Sequence, residues 1–193
     1  MVLDLVSSFK FDTANLTLKQ AYAALEGDQE TDIPFLVWLL ENPDSPLALP
    51  GKIYLQNHDY IHILLGREQS AQDEAFVIGF TMGNDSKTNW LHLAIFKLFA
   101  KFLYPKIYRF SNAELQVFKL GFAYGRKLKT KHLNEFDFQS YQNETIASIR
   151  QKLGIRADEI MFLQCFESWL IPNSETSKKL VNSFWLNLSC QMQ

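Results

Sequence analysis

The sequence predicts an all-α fold, a single helical domain over residues 1–193. Apolar residues recur at helical spacing along most of the chain, and alternations of apolar and polar residues long enough for β-strands are scarce. Glycine and proline stand where the periodic segments stop. Hydrophobic residues make up 47% of the 193 positions, which is enough to bury the core of one domain of ordinary size.

Capping residues mark the ends of the predicted helices. Pro34 lies in the first turn of the second helix, and Gly66 and Gly154 end the third and the seventh. Ser70 and Asp73, three residues apart, form a capping pair that opens the fourth. In chain order the predicted helices span about residues 16–26, 33–42, 53–65, 70–82, 88–104, 111–131, 143–153, 157–170 and 174–188.

Charge is distributed unevenly along the chain, although the net charge is only -2. Between Lys87 and Lys131 stand ten basic residues and a single acidic one, Glu114. Such a segment suits a solvated face, an anionic head group or a membrane surface, and without a nucleic-acid-binding motif we expect no nucleic-acid partner. No apolar run approaches the roughly 20 residues that span a bilayer, so we expect no membrane-spanning helix. Asp4 stands where an export signal would carry positive charge, so we expect no export signal.

The most specific feature is the spacing of His58, Asp59, His62 and Glu74, here called the four-residue motif. Residues four apart on a helix lie on one face, so the imidazoles of His58 and His62 can bind one ion. Asp59 can bind the same ion or orient a ligand, and an antiparallel hairpin after Gly66 would return Glu74 beside His62. We predict a divalent metal at these four residues, with zinc favoured over iron, manganese or magnesium. The alternative is a surface helix with two ordinary histidines.

Other catalytic sites fit this spacing less well. A zinc protease would place Glu, as general base, next to the first histidine, where this chain has Asp59. A phosphohydrolase of the His-Asp type needs a histidine upstream, and none precedes His58. A di-iron bundle needs Glu-x-x-His pairs on two helices, and the sequence has none. His92 and His132 stand alone, so we expect them to be core or surface histidines.

The four-residue motif resembles the signature of the coenzyme Q biosynthesis family whose mitochondrial members are needed for assembly of the ubiquinone synthesis complex. That signature is His-Asp-x-x-His followed by eleven residues and Glu, and this sequence matches it without an insertion. Gly66 stands four residues after the second histidine, and residues 149–155 resemble the family's closing helix with its Leu-Gly-Ile ending. The resemblance covers about residues 16–155, and residues 156–193 are predicted to form additional helices.

The resemblance implies a helical fold, often dimeric, with a divalent metal at the motif and an apolar groove for a polyprenyl lipid. It also implies a peripheral position at a membrane, in the cytoplasm of a prokaryote or on the matrix face of the mitochondrial inner membrane, beside other quinone-biosynthesis enzymes. The chain has 16 Phe, 7 Tyr and 4 Trp. Stripes such as Phe96, Phe99 and Phe102 suit either a closed core or the walls of such a groove.

Two functions follow from the resemblance. The first is oxidative decarboxylation of a prenylated hydroxybenzoate in ubiquinone biosynthesis, where the metal on His58, His62 and Glu74 would bind the substrate carboxylate or an oxygen species. Asp59 would complete the metal shell or move a proton. The alternative is a non-catalytic isoprenoid-binding or scaffold protein, in which the metal anchors a lipid phosphate or holds the hairpin together. The sequence leaves both open.

The sequence departs from the family at two places. Many members have a basic residue shortly before the first histidine, where this chain has Gln56 and Asn57. Many have Gly directly before the glutamate, where this chain has Asp73. We expect the first departure to weaken a head-group contact and the second to add negative charge near the metal.

Overall fold

The computed structural model describes residues 10–25 and 34–182, and within these ranges it is mostly helical and has no β-strand. The predicted all-α fold is therefore confirmed. The α-helices are α1 (Leu18–Ala23), α2 (Phe35–Glu41), α3 (Leu55–Leu65), α4 (Ala71–Asn84), α5 (Trp90–Leu98), α6 (Asn112–Lys127), α7 (Ile146–Leu153) and α8 (Ala157–Leu170). Residues 175–182 are also helical. A π-helix, Phe99–Leu103, continues α5, and short 3-10 helices span Lys10–Asn15, Lys106–Tyr108, Leu133–Glu135 and Phe138–Tyr141.

Most helix ends lie at the predicted caps. Gly66 and Gly154 adopt left-handed backbone angles, with φ of 61° and 75°, and end α3 and α7. At the start of α4 the Ser70 hydroxyl accepts a hydrogen bond of 3.2 Å from the backbone N–H of Asp73. The predicted end of the first helix at about residue 26, the charge at Asp4, and residues 183–188 of the last predicted helix lie outside the described residues.

Helices α4 and α6 cross with their backbones in close contact. Gly79 and Gly83 on α4 face the backbone of α6, and Gly121 and Gly125 on α6 face that of α4. A Cβ added to any of the four would overlap a carbonyl oxygen of the opposite helix, which for Gly79 is that of Phe118. The absence of side chains at this glycine crossing therefore permits the short distance between the two helices.

Aromatic rings fill the core around the glycine crossing. Phe96 on α5 stacks on Phe118 with ring centroids 4.8 Å apart, and Phe80 lies 5.9 Å from the ring of Tyr124. The predicted stripe of phenylalanines on α5 and its continuation is divided, because Phe96 is buried whereas Phe102 is 57% exposed. One side of this segment thus belongs to the core and another faces outward.

In the part of the chain that the structure describes, every helix falls short of the length and apolar character that crossing a membrane requires.

Replacing glycine by alanine at the crossing should destabilise the fold. Gly79→Ala or Gly121→Ala places a methyl group against backbone of the opposite helix, so we expect a loss of about 3 kcal/mol or more of unfolding free energy. Helix propensity alone would favour alanine over glycine by roughly 1 kcal/mol, so the expected loss has the opposite sign. Urea unfolding at constant pH measures it. Ala123→Leu, at an exposed position of α6, adds more atoms and should change the free energy by less than about 0.5 kcal/mol. Equal effects at both positions would contradict the close packing.

Candidate metal centre

Three residues of the four-residue motif meet between α3 and α4. His62 Nε2 lies 2.9 Å from His58 Nε2 and 3.2 Å from Glu74 Oε1. His58 Nε2 lies 3.0 Å from Glu74 Oε2. The turn between the two helices thus brings Glu74 beside both histidines, which is the relation that the hairpin prediction requires. We refer to these three residues as the triad.

The spacing of the triad's ligand atoms fits a metal ion. An ion with metal–ligand distances near 2.1 Å holds neighbouring ligand atoms roughly 3.0 Å apart in octahedral and 3.4 Å apart in tetrahedral geometry. The separations are 2.9 Å between the two imidazole nitrogens and 3.0 and 3.2 Å from these nitrogens to Oε2 and Oε1 of Glu74, and they lie close to these values. A metal ion held by two imidazoles and one carboxylate would have coordination positions left for water or a substrate, as in catalytic zinc and non-haem iron sites.

Within the triad, the histidines and the glutamate shift one another's pKa values. Burial alone would lower the pKa of His62, but the adjacent Glu74 carboxylate, together with smaller contributions from Asp73 and Asp59, outweighs burial and raises that pKa. Burial alone would raise the pKa of Glu74, but His62 and His58 hold it well below its usual range. Glu74 is therefore ionised at neutral pH, which is the state in which a carboxylate binds a metal.

Asp59 lies near the triad but outside its group of ligand atoms. Its side chain is buried and contributes to the wall of the cavity described below. After burial, the Asp59 charge is the next cause that raises the pKa of Tyr22, and it makes a smaller contribution to raising that of His62. The structure thus brings three of the four predicted residues together, and metal ligation by Asp59 stays a prediction.

A cavity of about 230 Å³ lies beside the triad. Helices α2, α3 and α4 and the segment that follows the π-helix form its walls. Most of its lining is apolar, and His58, Asp59 and Glu74 contribute polar groups at one side. Its apolar lining residues include Val37, Ile53, Leu55, Ile78, Ile107 and Phe110. An apolar cavity with a few converging polar groups is the usual form of a ligand site.

The sequence reasoning missed Glu41, which lines the same cavity. The Tyr104 hydroxyl donates a hydrogen bond of 2.7 Å to Glu41 Oε1. Burial raises the pKa of Glu41 to about 7, and the hydrogen bond from Tyr104 only partly offsets this effect. In the sequence, Glu41 is marked only as a lone carboxylate at the end of the apolar run of residues 35–41. Its hydrogen-bond partner, Tyr104, stands 63 positions later in the chain, so the sequence does not connect the two.

A buried ion-pair cluster lies at the turn between α3 and α4. Arg67 donates two hydrogen bonds of 2.7 Å to the Glu167 carboxylate on α8 and one of 3.4 Å to Asp73. The side chains of Arg67 and Glu167 are 0% exposed and that of Asp73 is 2% exposed. Gln72 donates a further hydrogen bond to Glu167. The cluster therefore attaches α8 directly to the segment that carries Glu74.

Both departures from the family that the motif resembles make contacts within the fold. Asn57 Nδ2 donates a hydrogen bond of 3.2 Å to the backbone carbonyl of Phe136. Asp73 contacts Arg67 and Ser70 rather than the triad. Its charge still raises the pKa of His62, although less than the charge of Glu74 does. Asp73 thus serves mainly the attachment of α8.

The two remaining histidines lie away from the triad. His92 Nδ1 accepts a hydrogen bond from the backbone N–H of Asn89 and so caps α5. His132 Nε2 lies 2.9 Å from the Ser86 hydroxyl. Among residues 10–25 and 34–182, neither belongs to a cluster of three or more metal-ligating side chains.

Comparison of the chain with protein-family models, with curated proteins and with solved structures finds no match.

Removing Glu167 should destabilise the fold strongly. Glu167→Ala leaves the Arg67 guanidinium buried beside Asp73 alone, so we expect a loss of about 3 to 5 kcal/mol in the free energy of unfolding. Glu159→Ala on the same helix is the matched control, because its partner Lys127 is 64% exposed and such pairs contribute at most about 1 kcal/mol. Denaturant unfolding of both variants measures the difference, and similar losses would contradict the buried attachment of α8.

Glu41 should make the stability depend on pH. Its pKa is about 7 in the fold against 4.5 in the unfolded chain. The folded state therefore binds more protons between these values, and the contribution of Glu41 to stability falls as the pH rises through that window. Relative to the wild type, Glu41→Gln should gain roughly 2 to 3 kcal/mol of unfolding free energy on going from pH 4 to pH 8. Denaturant unfolding of both metal-free proteins at each pH tests this, and parallel pH curves would contradict it.

Proposed function

We propose that this chain binds a divalent metal at His58, His62 and Glu74 and acts on a prenylated aromatic acid in prenylquinone biosynthesis. The observation that carries the proposal is the convergence of three metal-ligating side chains, two of which, His58 and Glu74, line an apolar cavity. The substrate class comes from the resemblance of the four-residue motif. Zinc suits two imidazoles and a carboxylate, and the same set also suits iron or manganese, with magnesium as a further candidate.

The proposed reaction replaces the carboxylate of the aromatic ring by a hydroxyl group. An aromatic acid, dioxygen, two protons and two electrons from an external donor give the phenol, carbon dioxide and water. The metal, when bound, supplies Lewis-acid or redox chemistry next to the substrate carboxylate. Within the cavity, Glu41 supplies or accepts a proton near neutral pH, and Asp59 completes the metal shell or moves a proton. The apolar walls limit the access of water to the ring.

From the resemblance we also propose which lipid the protein binds, where it lies and which proteins it contacts. A polyprenyl chain occupies the apolar cavity, and the protein lies peripherally on a membrane as a homodimer in contact with other quinone-biosynthesis enzymes. In a prokaryote that position is cytoplasmic, and in a eukaryote it is the matrix face of the mitochondrial inner membrane.

A second candidate function is non-catalytic, and the burial of His62 favours it. His62 is 0% exposed and the ligands come from both α3 and α4. A metal bound there would cross-link the two helices and contribute its binding free energy to folding. The cavity would then present a lipid precursor to other enzymes.

Metal content tests the site on which both functions depend. After reconstitution with zinc, iron, manganese or magnesium, elemental mass spectrometry should find about one equivalent of the preferred ion in the wild type. The His58→Ala, His62→Ala double variant should retain none, because two of the three ligands are gone. The His92→Ala, His132→Ala double variant, which also lacks two histidines, should keep its metal. Equal metal content in the two double variants would contradict the site.

Chelation and turnover separate the two functions. If the protein is catalytic, chelation of the metal abolishes conversion of a prenylated hydroxybenzoate supplied with dioxygen and a reductant, while the melting temperature of the wild type changes little. If the metal is structural, the chelated wild type melts at a clearly lower temperature, and the intact protein gives no turnover.

A further inference from the structure

An exposed apolar surface lies along α5, its π-helical continuation and the turn that follows. Six large apolar side chains on this segment are at least 46% exposed. They are Trp90 (78%), Leu91 (49%), Leu98 (53%), Phe102 (57%), Leu103 (46%) and Ile107 (82%). We call residues 90–109 the α5 surface. Exposed apolar groups at this density are typical of interaction sites rather than of a solvated face.

The α5 surface borders the mouth of the cavity. Leu91 and Leu98 are seven residues apart and so lie on one face of the helix, and Phe102 follows one turn later. Ile107 is both highly exposed and part of the cavity lining, and its half-buried neighbour Tyr108 also lines the cavity. A residue that belongs to both regions marks the opening of the cavity onto this surface.

Positive charge accompanies the apolar side chains. Lys97, Lys101, Lys106 and Arg109 stand among them, and residues 86–113 contain no acidic residue. Lys101 Nζ donates to the neutral Asn112 side chain and Arg109 Nε to a backbone carbonyl. Among the residues that the structure describes, none of these four basic side chains forms an ion pair, so their charges remain available to an anionic partner.

A second exposed stripe, on α8, shows that exposure alone does not select the partner. Phe162, Phe166 and Trp169 are 69%, 44% and 84% exposed. However, α8 contains no basic residue, and its first turn carries Asp158 and Glu159. The combination of apolar and basic groups thus distinguishes the α5 surface from the α8 stripe.

We infer that the α5 surface docks this protein onto an anionic phospholipid bilayer, with its exposed apolar side chains in the head-group region and its basic side chains at the lipid phosphates. Tryptophan and bulky apolar residues flanked by lysine and arginine are the usual elements of interfacial binding. The choice of a membrane as the partner rests on the proposed function. The inference adds which face of the protein makes the contact. In this orientation the mouth of the cavity opens toward the bilayer, from which an apolar substrate enters.

Vesicle co-sedimentation tests the inference. The wild type should bind vesicles of phosphatidylcholine with phosphatidylglycerol at least about tenfold more tightly than vesicles of phosphatidylcholine alone. The Leu98→Gln, Phe102→Gln variant and the Lys97→Gln, Lys106→Gln variant should each weaken binding about tenfold or more. The Phe162→Gln, Trp169→Gln variant of the α8 stripe should bind as the wild type does. Circular dichroism and melting temperature verify that all variants are folded.

Three outcomes would overturn the inference. They are absence of wild-type binding to either vesicle, loss of binding only in the α8 variant, and a wild-type dimer that the Leu98→Gln, Phe102→Gln variant converts to a monomer while vesicle binding persists. The last would assign the α5 surface to a second copy of the chain. Metal content is measured on the same samples, so failure of the triad and failure of the docking surface are recorded separately.

Discussion

The close crossing of α4 and α6 is the constraint on which the rest of the structure depends. Four glycines allow carbonyl oxygens of each helix to approach the backbone of the other, a distance that no side chain permits. Because Glu74 stands at the start of α4, the axis fixed by the crossing also fixes the direction from which this carboxylate reaches His58 and His62. The same crossing presents Phe118 to Phe96, which holds α5 against the core and leaves its opposite side exposed.

The buried cluster of Arg67, Asp73 and Glu167 serves a different purpose from the neighbouring triad, although the two are adjacent in sequence. Successive helical residues point about 100° apart, so Asp73 faces the guanidinium while Glu74 faces the histidines. Removing Arg67 and Glu167 from water is costly, and their paired hydrogen bonds recover that cost only in this geometry. The α3–α4 turn is therefore held from both sides, by the triad on one and by α8 on the other.

Features governed by local spacing could be predicted from the sequence, and features that join distant segments could not. The caps at Gly66 and Ser70 and the meeting of His58 with His62 follow from helical geometry within a few residues. In the sequence, the glycine crossing appears only as two pairs of glycines, and the glycines within each pair are four residues apart. Neither helix carries a sequence signal that identifies the other as its packing partner. The contact between Glu41 and Tyr104 likewise depends on the tertiary fold. Such contacts are decided by packing rather than by propensity.

Two carboxylates in one cavity differ in charge because their neighbours differ. Burial would favour the neutral form of both Glu74 and Glu41. Two imidazoles that can carry positive charge outweigh this effect at Glu74 and keep it ionised, whereas the Tyr104 hydroxyl is too weak a counterpart to do so at Glu41. When environments move the pKa values of two acids apart, one is suited to bind a cation and the other to exchange a proton. This division of roles arises from the neighbours of each carboxylate, and it suits the metal-assisted reaction that we propose.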